Sequence, residues 1–419
     1  MAISSGTKVA AVLTAVIAAL GAFVYNLVSV DIVALKSLPE AWHGFPPGAA
    51  EIIFQDELKY CEDALFDHEM GVAILSCDPG RGEWNTVMGT MYNPNPKGAL
   101  YLYNYVTKTD LRQVELVGLP EASDFHPLGI NFYREPGKET RLFVVNHQRN
   151  GSTVDVFTLD YENSKAAFMT SISDGDQNIL APNAVAPISY TSFYVTNDHY
   201  FIPRLNPILN KIETFGSLPL GWVTLVDITG PTPKFTTATS NIGFANGIVL
   251  TPTGKEVIVA STISKPPSVF IYTRDSATNT LTFNSSVAVP FRPDNLSFDD
   301  GLDVNDKTAF DDEGRFLRGL VAAGHPAPLK LFAVSRDPVH KKAPSWVVEI
   351  RRSSESDKAA WSATEVVGSA DGEFSLRTLY QSNGSHFSTS STGAVDFSRG
   401  KMLVSGLYEK GLLEFGWNV

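Results

Sequence analysis

Three stretches of the chain follow one pattern. They are PLGINFYREPGKETRLFVVNHQRNGSTVDVF from Pro127, ANGIVLTPTGKEVIVASTISKPPSVFIYTRD from Ala245 and STGAVDFSRGKMLVSGLYEKGLLEF from Ser391. Each has a small residue and glycine, a short apolar strand, a glycine-containing turn, a second apolar strand, a loop and a third strand. Weaker copies begin at Glu62 (EDALFDHEMGVAILSC), Asn183 (NAVAPISYTSFYVTND) and Asp294 (DNLSFDD). The six starts fall near residues 62, 129, 183, 246, 295 and 393, about 66 residues apart, the length of one supersecondary unit that must bury its apolar faces against its neighbours. Six units of four-stranded sheet close into a ring with few exposed edges. A two-sheet sandwich is the competing architecture and fits this period less well. The fold expected is therefore all-β, a six-bladed β-propeller over residues 45–419, preceded by an N-terminal hydrophobic helix. The fifth interval is the longest, which places an insertion between Ala309 and Gly393.

Composition agrees with many short strands and turns, since Gly (32), Pro (25), Phe (25) and Tyr (14) are abundant. A net charge of −12 without a basic block argues against a nucleic-acid partner.

The N-terminus reads as targeting, not fold. After Lys8 the chain carries no charge from Val9 to Val30, which is 22 residues, long enough at about 1.5 Å per residue to cross a bilayer. Residues 1–30 are either an uncleaved signal anchor, with Lys8 on the cytoplasmic side, or a cleaved signal peptide. Both place the body in the secretory pathway, membrane-anchored or secreted. Cys61 and Cys77 flank ALFDHEMGVAILS, whose centre looks like a hairpin turn. They are expected to face each other, as a disulfide in an oxidising compartment or as two buried thiols. Sequons at Asn150, Asn284 and Asn383 are candidate glycosylation sites, and a fourth lies at Asn295.

In a propeller the first strand of each blade lines the central channel. Residues at the repeat starts therefore meet near the axis. Five of them, Glu62, Asn183, Asn246, Asp294 and Asn295, offer oxygen donors, two carboxylates and three amides. That set suits Ca²⁺, which takes six to eight oxygens, better than zinc, which prefers His and Cys. Each has a bland alternative: Asn246-Gly247 as a hairpin turn, Asn183 as an Asx turn, Asn295 as a glycan acceptor.

These strings carry a resemblance. ED at Glu62-Asp63, P-x-G-I ending at Ile130, LFVVNH ending at His147, STVDVF from Ser152, TNDHYF from Thr196, FANGI from Phe244, DN at Asp294-Asn295 and GHP from Gly324 occur in order over most of the chain. With them the chain resembles the paraoxonase/arylesterase family, as a divergent, fungal-like member. These are calcium-dependent six-bladed propellers that hydrolyse lactones and aryl esters. The resemblance implies that the five oxygen donors hold a catalytic calcium. It implies that His147 is one of a catalytic histidine pair, oriented by Asp198, and that Asp63 and the Ile130 carbonyl belong to a second calcium site. Two departures stand out. The family's other histidine is Leu128 here, with His126 two residues earlier. The aspartate that follows the first calcium-binding asparagine is Ala184, which removes a carboxylate from the second site.

The expected function is a calcium-dependent hydrolase acting on a lactone or aryl ester, the cation polarising the carbonyl and His147 serving as base. Its partner would be an apolar small-molecule substrate, and the membrane through the N-terminal segment. Leu128 keeps a second reading open: a non-hydrolytic enzyme of secondary metabolism, such as the hetero-Diels–Alderases among related fungal propellers. A non-catalytic propeller that binds a partner is the third. Between two strands of one repeat, FIPRLNPILNKIETFGSLPLGW (Phe201 to Trp222) is expected either to cover the channel mouth or to pack as a surface loop.

Overall fold

The computed structural model describes residues 38–419, apart from 122, 176, 353–364 and 368–371, together with residues 14 and 21. The uncharged Val9–Val30 segment therefore lies outside the described residues, and so does the helix expected there. Among the described residues no helix is long and apolar enough to cross a membrane.

Six sheets form the six expected blades, antiparallel except where Glu115–Val117 adds to the edge of blade 2 in parallel. Their first strands are Cys61–Asp67, Pro127–Tyr133, Pro182–Ser189, Ala245–Leu250, Arg292–Phe298 and Ser390–Asp396, each beginning within three residues of a repeat start read from the sequence. These strands lie against one another around the ring, and the last contacts the first. The N-terminal strand Ala50–Ile53 pairs with Leu412–Gly416, so the sixth blade is built from both ends of the described chain.

The apolar runs of the sequence are the second strands. Val72–Cys77, Glu256–Ser261 and Leu320–His325 are buried along their whole length, because each blade is covered on both faces by its neighbours. The outermost strands are largely exposed, as in Lys234–Ile242. Large clusters fill the gaps between sheets; one joins Ile258, Val269 and Ile271 of blade 4 to Phe298, Leu320 and Val348 of blade 5.

The extra length of blade 5 is divided among three connections, 299–319, 326–344 and 353–373. The first begins ahead of the expected insertion. Among the described residues, two helices interrupt the ring. Helix α1 (Pro207–Gly216) lies within the Phe201–Trp222 segment of blade 3, and helix α2 (Pro328–Arg336) takes the equivalent place in blade 5. Proline stands at the start of each, where its missing N–H costs nothing.

Cys61 and Cys77 are cross-strand partners and form a disulfide. Asn150, Asn284 and Asn383 are exposed, whereas Asn295 is only 2% exposed and is out of reach of a glycan.

Candidate metal centre and catalytic pocket

Every first strand slips its register near its beginning. The slips fall between Cys61 and Asp63, Pro127 and Ile130, Pro182 and Val185, Ala245 and Ile248, Pro293 and Leu296, and Ser390 and Thr392. A bulge leaves its extra residues unpaired and re-aims their side chains. All five oxygen donors read from the sequence sit at these bulges. Glycine makes the crowding possible: a Cβ on Gly129 would lie 2.4 Å from the Asn183 carbonyl oxygen, and one on Gly247 2.6 Å from Asn295 Cα.

The five side chains converge from four blades. Asn246 Nδ2 donates to Asp294 Oδ1 at 2.7 Å, and Asn295 Nδ2 donates to Glu62 Oε1 at 2.8 Å. Asn183 Nδ2 donates to Asp198 Oδ2 at 3.3 Å. With each amide nitrogen engaged, the buried oxygens Glu62 Oε2, Asn183 Oδ1, Asn246 Oδ1 and Asn295 Oδ1 have no hydrogen-bond partner. Orphaned buried acceptors are costly. Burial and the neighbouring charges of Asp63 and Asp294 push the Glu62 carboxyl well up, and burial pushes Asp63 up to about 6. A divalent cation with oxygen affinity would satisfy the orphaned oxygens and offset the stacked negative charge, so these residues fit calcium.

They do not fit a second ion as well. Asp63 already accepts from the Ile130 and Ala64 backbone N–H groups, each at 2.9 Å, and from Thr392 Oγ1 at 3.0 Å. Ala184 supplies no oxygen from its side chain.

His147 does not line the cavity onto which Glu62, Asn183, Asn246 and Asp294 open. Its Nε2 donates to the Pro182 carbonyl at 2.8 Å, and its Nδ1 accepts from Thr86 Oγ1 at 2.7 Å. Burial holds its pKa below the usual histidine value. With both nitrogens committed, this ring latches blade 2 to blade 3. Asp198 bonds no ring nitrogen of His147; it bonds His199 Nδ1 at 2.8 Å and steadies Asn183. His126 is buried against Asp78, with Nδ1 2.9 Å from Oδ2, while Leu128 forms part of the cavity wall.

The histidine in the cavity is His325. Its Nε2 donates to Asp294 Oδ2 at 2.8 Å, and its Nδ1 is buried with no partner. The repeat pattern assigns its GHP string no role, because the repeat starts mark first strands and His325 lies on a second strand. Yet the repeat equivalence extends there. Residues paired with the start of each bulged segment are followed by Asp78, His147, Asp198, Thr262, His325 and Leu407. This second ring of positions was legible in the same alignment.

The cavity has a volume of about 120 Å³. Glu62, Asn183, Asn246 and Asp294 line it, and apolar walls come from Leu128, Phe244, Ile263 and the two helices. Phe215 of α1 and Phe332 of α2 lie 5.5 Å apart, so the helices meet over the mouth. His199 Nε2 bonds Thr214 Oγ1 at 2.7 Å, which ties α1 to the Asp198–Asn183 side of the site.

The arylesterase family model matches residues 87–413. The chain belongs to this family. It is 30% identical to human serum paraoxonase/arylesterase 1 over 214 residues, 50% of this chain and 56% of that protein. It is 26% identical to human serum paraoxonase/arylesterase 2 over 318 residues, 76% of each chain. The first-ranked of these curated relatives are matched over only about half of their length. Among solved structures, the PQQ domain of pyranose dehydrogenase from Coprinopsis cinerea superposes with a TM-score of 0.51 at 9% identity, covering 91% of this chain and 98% of that one. That likeness concerns the fold alone.

Proposed function

We propose that this family member is a calcium-dependent hydrolase of an apolar lactone or ester, with His325 as its proton acceptor. One observation carries the reading: unpaired acceptor oxygens of Glu62, Asn183 and Asn246, from three blades, belong to residues that line an apolar cavity beside the unpaired imidazole nitrogen of His325. Bound calcium would supply a Lewis acid for the carbonyl oxygen. Glu62, Asn183, Asn246, Asp294 and Asn295 would hold it. Asp294 accepts the Nε2 proton of His325, which leaves Nδ1 free to take a proton from water. Leu128, Phe215, Phe244 and Phe332 would enclose the apolar part of the substrate and exclude bulk water.

The test is a panel of lactones and aryl esters assayed with the purified chain, with and without EDTA. Turnover that vanishes in EDTA and returns with Ca²⁺ but not Zn²⁺ supports the reading; EDTA-resistant turnover, or none across the panel, defeats it. A non-hydrolytic enzyme of secondary metabolism is the second reading, favoured by Leu128 in the cavity wall. It predicts an activity untouched by His325→Gln, because a pericyclic step transfers no proton to a base. A membrane tether through Val9–Val30 belongs to the same proposal. Sodium carbonate extraction of membranes distinguishes an anchored chain, which stays in the pellet, from a released one.

A further inference from the structure

The cavity lining is uneven in charge. Thr214, Phe215 and Ser217 bring a neutral surface to it, and the loop after the second strand of blade 4 places Ile263 and Lys265 on it. Arg292 donates from Nη1 to the carbonyls of Thr262 at 3.3 Å and Ser264 at 3.4 Å, holding this loop against the mouth. Arg292 also stands opposite His325 in the sheet. Three residues beyond His325, α2 begins at Pro328, and no side chain caps it. Its free N–H groups and dipole add partial positive charge at Leu329, which lines the same cavity.

Lys265 is exposed at the mouth and has no ion-pair partner among the described residues. The cavity's two carboxylates, Glu62 and Asp294, belong to the metal set. With calcium bound, their two negative charges are offset by the ion, so the ammonium of Lys265 has no local anion to answer it. The chain as a whole carries −12, so a positively charged rim runs against the general surface. His325, 5% exposed and with Nδ1 unpaired, lines the same cavity and leaves a buried polar atom for a ligand or water to meet.

We infer that the substrate is an apolar ester or lactone that also carries a carboxylate, and that Lys265 selects it. This rests on the hydrolase reading for the ester but not for the charge. An apolar tail fits under the paired rings of Phe215 and Phe332, against Leu128 and Phe244, and the ammonium at the rim gives an anion a charge-assisted partner. Arg292 acts as a positioning residue for the loop.

The experiment uses the full chain in Ca²⁺ and two matched probes, 4-phenylbutyrate and its neutral amide, with affinities from calorimetry. The acid is expected to bind roughly three- to tenfold more tightly than the amide at low salt, the range for a partly exposed charge pair. Lys265→Met should remove that preference, Lys265→Glu should reverse it, and Lys265→Arg should keep it. Equal binding of acid and amide would overturn the inference. So would a preference that survives Lys265→Met, since the carboxylate would then sit on the metal. The ester panel reports separately: the acid preference can fail with hydrolysis intact, and hydrolysis can fail with the acid preference intact.

Discussion

His147 and His325 occupy equivalent positions in blades 2 and 5, yet only His325 has a ring nitrogen to spare. The two substitutions should therefore separate. His325→Gln is expected to lower turnover by roughly 10²–10⁴-fold, the usual size of a general-base contribution. His147→Gln should leave turnover per folded molecule nearly unchanged. It should lower stability by about 1–3 kcal/mol, because it disturbs two buried hydrogen bonds. Steady-state kinetics beside thermal unfolding of both variants decides the matter, and a turnover collapse confined to His147→Gln would return the base to that position. Leu128→His puts an imidazole into the apolar wall. With the potential partner His147 locked between Thr86 and Pro182, the expected result is a higher KM for apolar esters and no gain in kcat.

The bulged first strands do what straight strands cannot: they turn consecutive polar residues toward one axis. Gly247→Ala tests this, because its Cβ would press on Asn295 Cα and the Leu296 nitrogen, each 2.6 Å away. Blades 4 and 5 would have to part, carrying Asn246 away from Asp294. Calcium retention under dialysis should fall roughly tenfold or more, the scale seen when ligand supports are lost, while Gly230→Ala, whose Cβ would come no nearer than 3.9 Å to the Thr232 carbonyl oxygen, should be silent. Where the first strands end, His68 lies 3.6 Å from Asp299 and 3.4 Å from Asp396, joining blades 1, 5 and 6. Burial lowers the His68 pKa, but the carboxylates of Asp396, Asp299 and Asp300 outweigh it and the net effect is a rise. A raised folded-state value stabilises fully below the unfolded value of about 6.5, and the stabilisation is lost as pH rises through the folded value. Thermal midpoints should therefore fall over that window, and His68→Gln should flatten the slope.

A closed ring is only as stable as its seams. Ala50–Ile53 pairing with Leu412–Gly416 closes the ring from the ends of the described chain, and five oxygen donors from four blades close it from the centre. A cation that binds only the folded ring stabilises it by mass action. EDTA should lower the unfolding midpoint, and Ca²⁺ should restore it where Zn²⁺ does not. Metal analysis after dialysis should find one tightly held ion per chain, given that the three donors on Asp63 leave no second cage. Two tightly held ions would show that other oxygens replace the missing carboxylate.

The sequence by itself determined the ring. Short apolar strands repeating near 62, 129, 183, 246, 295 and 393 can bury both faces only by stacking blade on blade, so blade number, strand starts and the Cys61–Cys77 pairing followed from pattern and spacing. It also named the five oxygen donors, because equivalent positions in a closed repeat must share an axis. Tertiary structure alone decided which histidine brings a free nitrogen to the cavity. Whether a buried imidazole has a spare nitrogen depends on which carbonyl or hydroxyl a neighbouring blade brings within 3 Å, and no local pattern encodes that. It decided as well that Phe201–Trp222 contains a helix whose Phe215 meets Phe332 across the channel mouth. That contact joins residues far apart in the chain, and only closure of the ring brings them together.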